Sequence, residues 1–384
     1  MLQVIEKVNH FIQPILWGWP VLICILLAGI LFTVRLRFFQ FTKIGLWMKL
    51  TFAGMFRRKK QSNDGISPFQ ALTTALAGSI GTGNIVGVAT ALTLGGPGAI
   101  FWMWISALLG MMTIYAETVL GMKYRKKDKN GKWLGGAMYY IEYGLKCKPL
   151  AIVFAIACVL ASFGMGNMAQ ANAIGGALQD SFGVNTTITG AIVALVVFII
   201  LSGGIQRIAK VTEKVVPIMA GIYLLAGIIV IAVHGTMLPS VFGQIFSGAF
   251  NLQSATGGIS GSVMMIALRS GVSRGIFTNE AGLGSSVMAY GSGLQRAGRA
   301  RNVGNFSGLY RYHCHVYHHS SLYFMQRSYD NGQRWRCTEY SGISHGIWSI
   351  WRRCYFCIYY LICICNHVGM VSLRTMRTAI LVRR

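Results

Sequence analysis

The sequence predicts an all-α polytopic membrane protein, organised around two helices that glycines interrupt at membrane depth. Three observations carry this prediction. The 384-residue chain is 54% hydrophobic and only 12% charged, whereas soluble domains hold roughly a quarter charged residues. Six apolar segments reach the ~20 residues that cross a hydrocarbon core. Residues 75–90, Ala-Leu-Ala-Gly-Ser-Ile-Gly-Thr-Gly-Asn-Ile-Val-Gly-Val-Ala-Thr, place Gly78, Gly81, Gly83 and Gly87 inside a membrane-length apolar run. Lipid offers no hydrogen bonds, so irregular backbone at that depth is tolerated where it is buried in protein or lines a cavity. Its N–H and C=O groups there are available to ions and charged solutes, which points to a transporter.

The six spans are expected near 13–34, 68–94, 98–121, 150–176, 186–203 and 214–234, with a seventh, more polar and glycine-rich segment near 260–290. The first is membrane-length and is followed by basic residues, so no cleavable leader is expected. Cys24, Cys147 and Cys158 are scattered and form no disulfide framework. Arg35, Arg37, Lys43, Lys49, Arg57, Arg58, Lys59 and Lys60 follow the first span. Lys123, Arg125, Lys126, Lys127, Lys129 and Lys132 come two spans later, and Arg207, Lys210 and Lys214 two spans later again. The connections between carry almost no charge: none in 95–98 and 235–260, and Asp180 alone in 177–185. Basic loops stay cytoplasmic, so residues 35–65 and 122–135 are expected inside and the N-terminus outside. Segments 37–56 and 236–251 are shorter and amphipathic and are expected to lie along the interface. Trp17, Trp19, Trp102 and Trp104 fall near span ends, where aromatic belts form.

Three polar clusters fall at membrane depth. The first is Gly81-Thr82-Gly83-Asn84. If the helix unwinds there, N–H groups and the positive dipole of the following half-helix face a carboxylate, and carbonyls of the preceding half face a cation. The opposing reading is that these glycines only allow close helix packing, which leaves Thr82 and Asn84 unexplained. A dinucleotide fingerprint is excluded, because no strand precedes the glycines. The second cluster is Phe163, Asn167 and Gln170, whose i, i+4, i+7 spacing puts them on one helix face. A solute cavity and an interhelical hydrogen bond explain it equally. The third runs from Arg274 to Ser286 and holds Thr278, Asn279, Glu280, Gly282, Gly284 and Ser285. A charged pair at that depth marks function by default; the alternative is a structural Arg274–Glu280 ion pair. Five spans run from the first cluster's segment to the start of the third's. Matched broken helices opening two halves are the sequence sign of an inverted-repeat transporter with a midplane site. An enzyme would need a catalytic constellation, and His10 and His234 lie outside all three clusters.

The stretches Ala-Leu-Ala-Gly-Ser-Ile-Gly-Thr-Gly-Asn-Ile-Val-Gly-Val-Ala-Thr-Ala-Leu, Phe-Gly-Met-Gly-Asn-Met-Ala-Gln-Ala-Asn and Ser-Arg-Gly-Ile-Phe-Thr-Asn-Glu-Ala-Gly-Leu-Gly-Ser, in that order, closely resemble the alanine or glycine:cation symporters. The resemblance covers roughly residues 1–290. It implies sodium-coupled, in some members proton-coupled, uptake of alanine or glycine across the inner cell membrane, by alternating access and without an enzymatic cofactor or nucleic-acid partner. It also implies the fold of the bacterial leucine transporter with one extra N-terminal helix. By that resemblance Gly81, Thr82 and Gly83, with Asn84 beside them, would hold the substrate carboxylate. Phe163, Gln170, Thr278 and Asn279 would line the rest of the pocket. Carbonyls of Ala77 and Ile80 would form half of a sodium site.

Near residue 290 the composition changes. Residues 291–384 contain 13 Arg, no Lys, six of the eight His and six of the nine Cys. His313, His315, His318, His319, Cys354, Cys357, Cys363 and Cys365 invite a metal reading, but no zinc spacing connects them, and no transition-metal site is expected. Back-translation explains the tail better. Permitted codons for Arg296–Ser320, read one base later, can spell a stretch beginning Glu-Pro-Val-Glu-Gln-Gly-Met-Trp-Gly-Ile-Phe. The same shift over Leu361–Arg374 can spell Leu-Phe-Ala-Phe-Ala-Thr-Met-Leu-Gly-Trp. Both resemble the family's continuing sequence, so a frameshift is expected at about residues 290–296. The expected organisation is a symporter core over 1–290, holding the first five-helix repeat and the start of the second, and an out-of-frame tail over 291–384. Two alternatives stand beside a truncated symporter: an inactive pseudogene product, and a membrane-embedded subunit without transport activity.

Overall fold

The computed structural model describes residues 2–46, 68–79, 81–128, 133–233, 235–250 and 258–291. The His- and Cys-rich tail, most of the basic loop after the first span, and Ile80 lie outside the described residues.

Among the described residues, the architecture is a helical bundle with one two-stranded hairpin. Helices α1 (Leu2–Leu16) and α2 (Trp19–Arg35) are separated by a turn at Trp17–Gly18, which falls inside the stretch expected as the first span. Proline at the start of α2 suits that position, where its missing N–H would have had no helical partner. A short α3 (Phe39–Thr42) follows. The second apolar segment is two helices, α4 (Pro68–Ser79) and α5 (Thr82–Gly95). Next comes α6 (Gly98–Lys123), and then strands β1 (Lys126–Lys127) and β2 (Trp133–Leu134) and helix α7 (Ala137–Tyr143). Helix α8 (Lys148–Phe163) passes through a π-helical turn, Gly164–Met168, into α9 (Ala169–Phe182). Helices α10 (Thr186–Ser202), α11 (Gly204–Val233) and α12 (Leu238–Phe250) complete the first half. The last apolar segment is again two helices, α13 (Gly258–Asn279) and α14 (Ser285–Gly291).

Helix α6 is the central pillar, touched by α2, α5, α7, α12, α13 and α14. Ile100, Met103, Met111, Met112 and Ile114 on it are fully buried. Glycines let its neighbours approach. A Cβ on Gly271 would overlap the Ala99 carbonyl oxygen, one on Gly275 would overlap Ser106 Oγ, and one on Gly29 would lie 2.8 Å from Leu109 Cβ. Such small-residue seams are how helices associate where lipid removes the hydrophobic drive. The outer helices show the complementary pattern. On α10 only Thr189, Val193 and Val197 are buried, one i, i+4, i+8 stripe, while Leu195, Phe198 and Ile199 face outward. A surface this apolar suits lipid rather than water. Among the described residues, Glu6–Arg35, Gly98–Lys123 and Gln206–Val233 are long and apolar enough to cross a membrane.

One expectation changes. Trp104, expected in an aromatic belt, is buried beneath α12, where it packs on Phe242 and Phe246. In the amphipathic segment after α11, Val241, Ile245 and Ala249 on α12 are buried, and the helix packs against α6 and α13.

Candidate substrate and ion site at two helix breaks

The first break separates α4 from α5. Gly81 is buried and extended, with φ −155° and ψ −158°. Its carbonyl accepts from the Asn84 N–H at 3.0 Å, which starts α5. The first-turn N–H groups of α5 have no preceding turn to bond to, and they give this end a partial positive charge. Ala77 and Asn84, on either side of the break, are both buried.

The second break separates α13 from α14. Glu280 leaves the helix at φ 54°, and Gly282 and Gly284 follow at 87° and 68°. Left-handed backbone at a buried non-glycine residue costs about 1–3 kcal/mol and persists only where its surroundings hold it. Here the Glu280 carboxylate accepts from Ser285 Oγ at 2.5 Å, bridging the gap between the two helices. The acid of this cluster therefore ties the break together. Arg274, in the C-terminal part of α13, is half-buried. Gly284 has no room for a side chain: a Cβ would lie 2.8 Å from Ala137 Cβ and 3.1 Å from the Phe154 ring.

The two broken helices lie side by side. Helix α13 packs on α5, and α14 packs on α4. The second chain segment thus runs from the level of α5 to the level of α4, antiparallel to the first, and the breaks are abreast. Thr278 on α13 faces α5, its Oγ1 3.4 Å from where a Cβ on Gly87 would stand. That distance is ordinary contact, so this approach does not itself require a glycine at 87. Asn84 beside the first break and Thr278 and Asn279 beside the second are 1%, 3% and 0% exposed.

The second cluster divides. Gln170 is buried on α9, which contacts α5, whereas Phe163 at the end of α8 is exposed. The expected common face fails because of the π-turn between them, in which the Ala169 N–H reaches back five residues to the Gly164 carbonyl. A wider turn rotates everything after it relative to an α-helix. Asn167 sits inside that turn, and its Oδ1 finds no hydrogen-bond partner among the described residues. Of the expected site residues, Gly81 and Asn84 lie at the first break, Thr278 and Asn279 lie at the second, and Ala77 lies in the last turn of the preceding half-helix. Phe163 stands apart, and Ile80 and the side chain of Thr82 lie outside the described residues.

Sequence reading missed a second tie to the broken helices. Gln70 Nε2 donates to Glu213 Oε2 at 2.8 Å, and the Thr74 and Thr212 hydroxyls are 3.2 Å apart, joining α4 to α11. No local spacing announces a pair 143 residues apart. The Gly271-x-x-x-Gly275 seam on α13 was also missed, although its small-xxx-small spacing is visible in the sequence.

A family model described as the sodium:alanine symporter family matches residues 2–298. The chain is 46% identical over 286 residues to an uncharacterised transporter of Haemophilus influenzae, covering 74% of this chain and 62% of that protein. It is 45% identical over 294 residues to the sodium/alanine symporter AgcS of Methanococcus maripaludis, covering 75% and 62%. A probable sodium/glutamine symporter, GlnT of Bacillus subtilis, is 40% identical over 290 residues, covering 75% and 59%. The chain thus spans about three-fifths of the length of these curated relatives.

Proposed function

Because this chain belongs to the sodium:alanine symporter family, we propose that it is the first part of a cation-coupled symporter for small neutral amino acids, alanine or glycine, working by alternating access at the two helix breaks. The observation that carries this reading is the antiparallel pairing of the broken helices, α13 on α5 and α14 on α4, with Asn84 buried beside the first break and Thr278 and Asn279 beside the second. That pairing supports two inverted repeats of the bacterial leucine transporter type. The substrate carboxylate sits at the N-terminus of α5, against the backbone of Gly81, Thr82 and Gly83, where the helix dipole favours negative charge. Asn84, Gln170, Thr278 and Asn279 supply polar contacts, and Phe163 closes the pocket from α8. Carbonyls of Ala77 and Ile80, at the negative end of α4, give half of the sodium site. The protein resides in the inner cell membrane.

The chain is also proposed to be truncated by a frameshift near residues 290–296, which divides it into a symporter core over 1–290 and a tail over 291–384 that lacks the family's fold. The family match ending at residue 298 supports this, as does the added length of the relatives. On this reading the missing helices complete the second repeat and the sodium site. Uptake of labelled alanine and glycine tests the proposal. A protein restored to the shifted frame is expected to accumulate substrate in a sodium gradient, and the 384-residue chain is expected not to. Sodium-dependent uptake by the 384-residue chain would sink the truncation argument.

A further inference from the structure

Between α6 and α8 the chain carries eight basic residues against two acids, from Lys123 to Lys148. The fold sets four of the described ones, Lys123, Arg125, Lys126 and Lys127, beside aromatic rings. Strands β1 and β2 pair antiparallel, with Lys126 opposite Leu134 and Lys127 opposite Trp133. The Arg125 guanidinium carbon lies 4.1 Å from the centre of the Trp133 ring, and Lys127 Nζ lies 5.1 Å from the same ring. Lys126 Nζ stands 3.5 Å from the Tyr143 ring centre, and Lys123 Nζ 5.3 Å from that of Tyr124. Lys123, Lys126, Lys127, Lys146 and Lys148 are exposed. Lys123 ends α6 and Lys148 begins α8, both apolar helices. The hairpin and α7 therefore connect the adjoining ends of two apolar helices.

Topology alone accounts for basic charge in this connection, because cytoplasmic loops are enriched in Lys and Arg. It does not account for the rings. Trp and Tyr settle at headgroup depth, and a cation held over a ring face is drawn to that same depth. We propose that the β1–β2 hairpin and α7 form a binding surface for the phosphodiester headgroups of anionic glycerophospholipids in the adjoining leaflet. Lys126 and Lys127 donate to phosphate oxygens, while Trp133 and Tyr143 set the depth of the contact. Asp128 and Glu142 are the two acids in this stretch, and the balance stays positive. This surface is separate from the helix breaks and does not rest on the transport reading.

Native mass spectrometry of the purified 384-residue chain in detergent, equilibrated with equal phosphatidylglycerol and phosphatidylcholine, tests the proposal. The wild-type chain is expected to retain phosphatidylglycerol preferentially. Each lysine near an anionic surface contributes about a fivefold gain in binding, so the double variant Lys126→Gln/Lys127→Gln is expected to lower the ratio of the two lipids at least about fivefold. Lys126→Arg/Lys127→Arg and the distant Lys7→Gln are expected to keep it. Equal retention of both lipids by the wild-type chain would overturn the proposal, as would an unchanged preference in the glutamine variant. Displacement of the bound lipid by inorganic phosphate would also overturn it, in favour of a free-anion site.

Discussion

Gly284 and Gly190 show how differently two glycines behave in this fold. Gly284 has φ 68° and would bring a Cβ within 2.8 Å of Ala137, whereas Gly190 in α10 has nothing within 4 Å. Gly284→Ala adds left-handed strain to an overpacked contact and is expected to destabilise the chain by about 1–3 kcal/mol. Gly190→Ala is expected to be neutral or stabilising by up to ~1 kcal/mol, since alanine favours a helix interior. Thermal melting of the two purified variants checks both, and equal midpoints would refute the assignment of the break. At the first break the proposed carboxylate contact makes a separate prediction. In the frame-restored protein, Thr82→Val is expected to abolish alanine uptake without lowering surface expression, because loss of the hydroxyl leaves a polar ligand atom unmatched at about 1–3 kcal/mol. Normal uptake per surface molecule would leave the contact without support.

At the scale of the elements, each half-helix is held by a different neighbour. Helix α5 packs on α13 through Gly95, where a Cβ would overlap Ser270 Oγ, and α4 is tied to α11 by polar side chains. The Gln70–Glu213 hydrogen bond has a charged acceptor, a type that contributes about 1.5–3 kcal/mol. A double-mutant cycle with Gln70→Ala and Glu213→Ala, followed by thermal unfolding, is expected to show a coupling of about 0.5–3 kcal/mol. Additive effects would show that the link holds nothing. The two kinds of contact have different consequences. Glycine seams fix the close approach of α5 and α13, whereas a hydrogen-bonded tie can exchange partners if α4 moves.

Across the whole molecule, loop charge and helix order set the expected topology. Residues 35–65 and 122–135 are predicted to be cytoplasmic, the first of these lying mostly outside the described residues. Lys59→Cys is expected to resist an impermeant thiol reagent in intact cells and to react after permeabilisation. Ready labelling from outside would invert the orientation. The proposed lipid surface on the β1–β2 hairpin would then face the opposite leaflet.

The apolar helical character, the order of the helices, and the sites of both helix breaks were legible in the sequence. Each rests on a local property: apolar length, glycine content, or charge in a short loop. Hydropathy also placed α6 and α10 within a few residues, whereas α11 begins at Gly204, well before the expected 214. Side-by-side arrangement was not legible. The pairing of α13 with α5 and of α14 with α4, the burial of Trp104 beneath α12, and the Gln70–Glu213 tie all join residues far apart in the chain. The separation of Phe163 from Gln170 was hidden for another reason. A π-turn changes the helical period, and a face computed at 3.6 residues per turn cannot register it. The sequence by itself determined where the backbone must leave the helix, because glycine and polar residues are costly in lipid wherever they fall. Only the tertiary structure decided that the two departures meet, because that depends on which helix faces seat against α6.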